Sequence, residues 1–207
     1  MPTVIPVQEP VFASTSGQTF DAYCQAQPTE TQRLLRRILA ERRIDPDTQR
    51  YLATYPVWLT AILLVEDQTP DTVVMTPTLA RIADACPRLE LRVVSDRTDL
   101  SALNELVDDA LDLEEDLDDL DLPLLFFFDE EWNQQARWGP RPAAAEARLD
   151  EWLAAHPVYE RMLEEDCSEM EELVDQLTHQ MRLWCNDDLT AACIGEIRDI
   201  LATLETN

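Results

Sequence analysis

The sequence predicts an α/β fold, built on a mixed sheet of about four strands and extended by helices at both ends of the chain. Three observations predict it. Residues 57–65 are almost uninterruptedly apolar and run straight into Thr69-Pro70-Asp71, a helix-opening signal. A second short apolar stretch follows at residues 89–94, and residues 122–128 and 133–138 form two more across a short turn. A continuous apolar run too short for a typical helix reads as a strand covered on both faces, so residues 57–65 belong in the middle of the sheet. Strand, helix and strand in that order imply a right-handed parallel crossover, and the last two strands imply a β-hairpin.

Taken in order, residues 1–16 are aperiodic and carry Pro, Thr and Ser, the composition of a disordered tail. Residues 17–56 read as an N-terminal helical extension. Within it, residues 29–43 place Leu34, Leu35, Ile38 and Leu39 among five arginines and two glutamates, an amphipathic helix. Ile44-Asp45-Pro46-Asp47 interrupts it; Asp45 is placed to cap, and Pro46 to open, a second short helix through Tyr51 and Leu52. The core then spans residues 57–156. Its first helix, 69–85, has Thr69 as N-cap, Pro70 at the first position and Asp71 facing the positive end of the dipole. Pro77 should kink that helix, and residues 99–106 suit a second one. Residues 108–121 hold nine acids threaded by Leu111, Leu113, Leu117 and Leu120, an acidic insertion. Trp138-Gly139-Pro140-Arg141-Pro142 is a tight loop entering an Ala-rich helix that ends near His156-Pro157. Residues 157–207 read as a helical hairpin. An apolar stripe from Leu163 through Cys167, Met170, Val174, Leu177 and Met181 to Trp184 forms one arm. The other is a helix over 189–204 with Ala192, Cys193, Ile197, Ile200 and Leu204 inward.

Charge narrows the classes of partner. The chain has 42 acidic residues against 16 basic ones, all arginine, for a net charge of −26. Nucleic-acid backbones and anionic membranes are repelled by such a surface. The acidity fits a saline cytoplasm or a compositional bias. The N-terminus lacks the basic-then-apolar pattern of a secretory signal, and the longest apolar run falls far short of the roughly 20 residues a spanning helix needs; a soluble cytoplasmic protein is expected. Five cysteines (Cys24, Cys86, Cys167, Cys185, Cys193) include no C-x-x-C pair and read as small buried apolar residues in a reducing compartment. His156 and His179 give no zinc-type spacing. Asp112, Glu114, Asp116 and Asp118 alternate like a calcium loop but lack its central glycine and closing glutamate, position 123 being proline. No metal and no cofactor is expected. With its interleaved leucines the acidic insertion suits docking on a basic partner, and the stripe over 163–184 suits either intramolecular packing, the favoured reading, or a homodimer seam.

The motifs lead further. After the first core strand the chain reads Glu66-Asp67-Gln68-Thr69-Pro70-Asp71-Thr72, and after the hairpin Trp138-Gly139-Pro140-Arg141-Pro142-Ala143-Ala144-Ala145. These, with Thr19-Phe20-Asp21-Ala22-Tyr23 near the start and Leu183-Trp184-Cys185-Asn186-Asp187-Asp188 near the end, resemble a bacterial thioredoxin-like family over about residues 19 to 204. Members of that family read roughly Glu-Asp/Ala-Trp-Cys-Gly-Asp-Ala/Cys and Trp-Gly-Pro-Arg-Pro at the two main motifs. The resemblance implies a thioredoxin fold, a cis bond at Leu122-Pro123, and a substrate groove at Gln68, Thr69, Leu122, Pro123, Trp138 and Gly139. It also puts Thr69 at the nucleophilic cysteine and Thr72 at the second cysteine position. A helix N-terminus lowers a thiol pKa into the useful range, whereas an alcohol starts far higher and needs a strong adjacent base. Thr69 is more simply an N-cap, and Arg141 a partner for nearby carboxylates. The expected protein is redox-inactive, with a protein-binding or scaffold role through the former substrate groove. Two alternatives stand beside that reading. One is a weak thiol oxidoreductase using Cys86, at the unfavourable C-terminal end of the 69–85 helix; the other is an acidic assembly protein.

Overall fold

The structure, a computed structural model, describes residues 17–95, 100–107, 112, 113, 117, 120–159 and 168–206. The expected tail, most of the acidic alternation (Glu114, Asp116, Asp118) and the start of the C-terminal stripe (Leu163, Cys167) lie outside those residues. Four strands form one sheet in the order β2-β1-β3-β4: β1 (Leu59–Leu64), β2 (Leu89–Val94), β3 (Leu124–Phe128) and β4 (Gln134–Trp138). β1 and β2 are parallel, in register from Leu59 opposite Leu89 to Leu64 opposite Val94. β3 runs antiparallel to both β1 and β4, with a bulge at Phe127 and Phe128. The crossover and the hairpin are therefore both present.

The helices are α1 (Phe20–Ala26), α2 (Thr29–Glu41), α3 (Pro46–Thr54), α4 (Pro70–Ala85), α5 (Leu100–Asn104), α6 (Glu146–Ala155), α7 (Ser168–Trp184) and α8 (Thr190–Leu204). Side-chain caps start three of them. Thr19 accepts from Ala22 N at 3.3 Å, Asp45 from Asp47 N and Thr48 N at 3.0 Å each, and Thr69 from Thr72 N at 3.3 Å. α4 continues through Pro77 to Ala85 and is buried almost all round, because it lies between the sheet and helices α2 and α7.

The sheet divides its side chains strictly. Ala61, Leu63, Leu125 and Phe127 face one apolar cluster that α4 shares with helices from both chain ends. Ile62, Leu64, Phe126 and Phe128 face a second cluster with Leu100, Leu103, Val107 and Leu113. This alternation is what a two-sided central strand requires. Leu113 is fully buried there, and Leu117 and Leu120 pack against the same cluster. The described leucines of the acidic insertion thus help to cover the second sheet face. Asn104 anchors the segment by accepting from Leu113 N at 2.7 Å.

The C-terminal hairpin needs correction. Residues 168–204 are helical without a turn; α7 passes through a π-helical segment, Cys185–Leu189, directly into α8. No glycine or proline stands between Trp184 and Thr190 to stop the helix, so the chain absorbs the change within the ladder. In α8 the buried stripe is Cys193, Ile194, Ile197 and Leu201, with Ile200 and Leu204 at its margin. Along the described part of α7, Leu177 and Met181 are buried against the chain's own first cluster.

Polar ties join the two chain ends across α4. Arg42, 1% exposed, donates through Nε to Thr78 Oγ1 and through Nη1 to Asn186 Oδ1, both at 2.8 Å. Arg182 grips Glu41 with two bonds, Nε to Oε2 at 2.7 Å and Nη2 to Oε1. Tyr55 donates its hydroxyl to Leu201 O at 3.1 Å.

Candidate functional site

The site grows from the turn between β1 and α4. β1 delivers Val65 at its end, and the chain then reverses through Gln68, which sits at φ 68° in the left-handed region. Thr69 follows as cap: its oxygen accepts from Thr72 N, and its hydroxyl donates to Glu66 O at 3.3 Å. Thr72 is completely buried, and among the described residues its hydroxyl has no hydrogen-bond partner. Beneath the turn, Asp67 Oδ1 accepts from the Tyr23 hydroxyl at 2.9 Å and from Gln27 Nε2 at 3.2 Å, which fixes α1 to the loop.

Asp71, in the first turn of α4, meets Arg141 from the loop after β4. The guanidinium donates through Nε to Oδ1 and through Nη2 to Oδ2, both at 2.9 Å, while Nη1 reaches Glu146 Oε1 at 3.1 Å. Burial pushes the Asp71 carboxyl above the usual carboxylate range, against the pull of Arg141 and with help from Glu146 and Asp121. Burial draws the Arg141 guanidinium down, but the Asp71 hydrogen bonds and charge outweigh it, so its pKa is raised and it stays cationic.

Two loops close the back of the site. The Leu122-Pro123 bond is cis, as expected, and so is Gly139-Pro140. Gly139 has φ 131°, and a Cβ there would stand 2.2 Å from Pro123 O. Only glycine tolerates both the backbone angle and that approach. Glu196 on α8 steadies the same loop, accepting from Trp138 Nε1 at 2.7 Å and from Ala143 N at 2.8 Å.

A cavity of about 680 Å³ opens in front of the α4 N-terminus. Gln68, Thr69 and Leu122 line it, joined by Asp71 and Arg141 and by Leu34, Met170 and Val174 from α2 and α7. Pro123, Trp138, Gly139 and Thr72 do not line it; Trp138 is 7% exposed and Thr72 fully buried. Reasoning from sequence did not identify Asp67 or Glu196. The signal for Glu196 is its position, a lone acid inside the apolar stretch from Ala191 to Ile197.

No described cysteine reaches this cavity. Cys24, Cys86, Cys185 and Cys193 are free and buried. Burial pushes the Cys24 and Cys185 thiols up to about 11 and raises Cys86 and Cys193 as well. Cys86 sits at the C-cap of α4, the full sixteen-residue helix away from Thr69, roughly 24 Å at 1.5 Å per residue. Among the described residues no group of three or more His, Cys, Asp or Glu could hold a metal ion, and no helix is long and apolar enough to cross a membrane.

Comparison with known proteins fits this architecture. Residues 17–153 match the model of a family described as Thioredoxin. The crystal structure of a protein of unknown function from Pseudomonas aeruginosa superposes with a TM-score of 0.57 at 20% identity, covering 92% of this chain and 93% of that one. An HIV epitope-scaffold superposes with a TM-score of 0.59 at 18% identity, covering 92% and 94%. At such identities the likeness concerns the fold alone. No curated protein matches the chain.

Proposed function

The chain belongs to the Thioredoxin family, and on that premise we propose that it is a redox-inactive member which binds another protein through the cavity at the start of α4, in a reducing cytoplasm. One observation carries the reading. The two positions that motif comparison assigns to thiols hold Thr69 and Thr72, and the fold uses both as structural residues. Thr69 caps α4 in both directions, and Thr72 is sealed inside. Among the described residues, neither hydroxyl touches a base strong enough to make it a nucleophile.

The groove outlasts the chemistry. Its walls come from the β1–α4 loop, the loop before β3, the loop after β4, α2 and α7. The Leu122 backbone, just before β3 joins the sheet at Leu124, has no hydrogen-bond partner among the described residues. Its N–H and C=O are therefore available to an extended segment laid alongside. Cys86 makes a poor substitute thiol, being buried, raised in pKa and remote. The acidic-assembly reading is weakened because Leu113, Leu117 and Leu120 are spent on the chain's own core.

The test is reduction of insulin disulfides in the presence of dithiothreitol, comparing the native chain with Thr69→Cys/Thr72→Cys. Turnover is expected in the double variant alone. Turnover by the native chain that vanishes in Cys86→Ser would overturn the proposal in favour of the displaced thiol.

A further inference from the structure

We propose that the occupant of this cavity is an extended peptide segment bearing arginine or lysine side chains, an inference that rests on the protein-binding reading above. The fold leaves charge around this cavity unanswered. The described lining carries six carboxylates and one guanidinium. That guanidinium, Arg141, is already consumed by Asp71 and Glu146. Asp67 is satisfied by Tyr23 and Gln27. Four others, Glu66, Asp121, Glu171 and Asp175, have side chains with no ion-pair or hydrogen-bond partner among the described residues, although all line the same space.

Their origin separates this from general acidity. Acids that merely solvate a helix lie along one face of one element. Here Glu66 comes from the β1–α4 loop, Asp121 from the approach to β3, and Glu171 and Asp175 from successive turns of α7. Three segments distant in sequence converge on one concavity, where low-dielectric walls focus their combined field.

The floor between them is apolar. Leu34, Val73, Leu122, Met170 and Val174 lie under the rim. Basic side chains match that layout, since their aliphatic stems cover apolar surface while the charged heads reach a carboxylate rim. An acidic or neutral segment would bury the rim carboxylates without compensation. The open Leu122 backbone supplies main-chain hydrogen bonds to the same extended ligand.

The experiment is fluorescence anisotropy on the full chain with three labelled peptides of equal length, leucine alternating with arginine, glutamine or glutamate. The arginine peptide should bind, and its affinity should fall about tenfold between low and near-physiological salt. Asp121→Asn/Glu171→Gln/Asp175→Asn should weaken it about tenfold, because partnerless carboxylates can be neutralised without disturbing the fold, which circular dichroism checks. The control is Glu130→Gln/Glu131→Gln, in the β3–β4 turn at the far end of the sheet, which should change affinity less than about twofold. Equal binding of the glutamine peptide, insensitive to salt but lost on filling the cavity with Val174→Trp, would overturn the cationic occupant and leave the protein-binding groove standing. Equal losses in rim and turn variants would reduce the effect to overall charge and overturn the site. Binding of none of the three peptides would count against both readings.

Discussion

Arg141 grips Asp71 through two bonds of 2.9 Å at the groove, and Arg182 grips Glu41 with the same two-pronged geometry where the chain's ends meet. The two carboxylates respond in opposite directions. Glu41, with a quarter of its side chain exposed, is held down to about 2, mainly by hydrogen bonds from Arg182. Asp71, with about an eighth exposed, is pushed up because burial outweighs the same kind of partner. Identical chemistry thus stabilises one end of the molecule and strains the other. The Glu41 pair ties elements together, whereas the Asp71 pair fixes the loop after β4 onto the first turn of α4 and shapes a cavity wall. Buried ion pairs are poor sources of stability and better explained by the position they enforce.

The largest effect that tests this contrast is removal of one partner. Asp71→Leu should cost about 3 kcal/mol in urea unfolding, since among the described residues it leaves a largely buried guanidinium paired with the half-exposed Glu146 alone. Adding Arg141→Met should recover most of that loss. Failure to recover would mean that the groove pair is a net stabiliser like its counterpart. Next comes the backbone behind the same wall. Gly139→Ala should cost about 2–3 kcal/mol through the collision with Pro123 O and the forbidden φ. Gly195→Ala, on the α8 side where nothing lies within 4 Å of the added methyl, should instead gain about 0.5–1 kcal/mol.

Acid titration sharpens the comparison further. A folded-state pKa below the ordinary value of 4.5 means that Glu41 supplies stability above that pH and loses it as pH falls toward about 2. After discounting for solvent screening, that limb should amount to about 1–2 kcal/mol and disappear in Glu41→Gln. Asp71 works with the opposite sign. Its raised value makes the folded state hold the proton more tightly, so its contribution falls as pH rises from the ordinary 3.8 through the folded value. Stability followed by thermal melting from pH 2 to 6 should show the first limb reversed in sense to the second. The smallest effect is at the cap: Thr69→Ala should cost about 0.5–1 kcal/mol, low in the usual range because its bond is 3.3 Å long.

What the sequence disclosed about these regions follows a physical line. Thr69, Pro70 and Asp71 announce a helix start through local capping chemistry, so that end of the groove was legible residue by residue. Pro123 and Arg141 were legible through their motif setting; the class of partner for Arg141 was clear, but the choice of Asp71 and Glu146 depends on how two loops meet. Asp67 and Glu196 were missed because their partners, Tyr23 and Trp138, lie 44 and 58 residues away. Residues 108–121 were hard to read for another reason: nine acids drown the periodicity of four leucines, of which Leu113 is buried in the second cluster while Leu117 and Leu120 pack partly against it. Between Trp184 and Thr190 no glycine or proline stops the helix, but the polar Asn186-Asp187-Asp188 separates two apolar stripes, which suggested a break where the helix continues through a π-helical segment.

Consider finally where the walls of the groove lie along the chain. Met170, Glu171, Val174 and Asp175 line it, and Glu196 braces the loop behind it, so its last pieces come from α7 and α8. A ribosome emitting this protein has completed the entire sheet, and all of α4, before any of those residues is made. From Trp138 to Glu196 is a further 58 residues of synthesis, several seconds at typical elongation rates, and for much of that time one wall of the cavity does not yet exist. The cavity therefore gains its full set of walls only after α7 and α8 have been made.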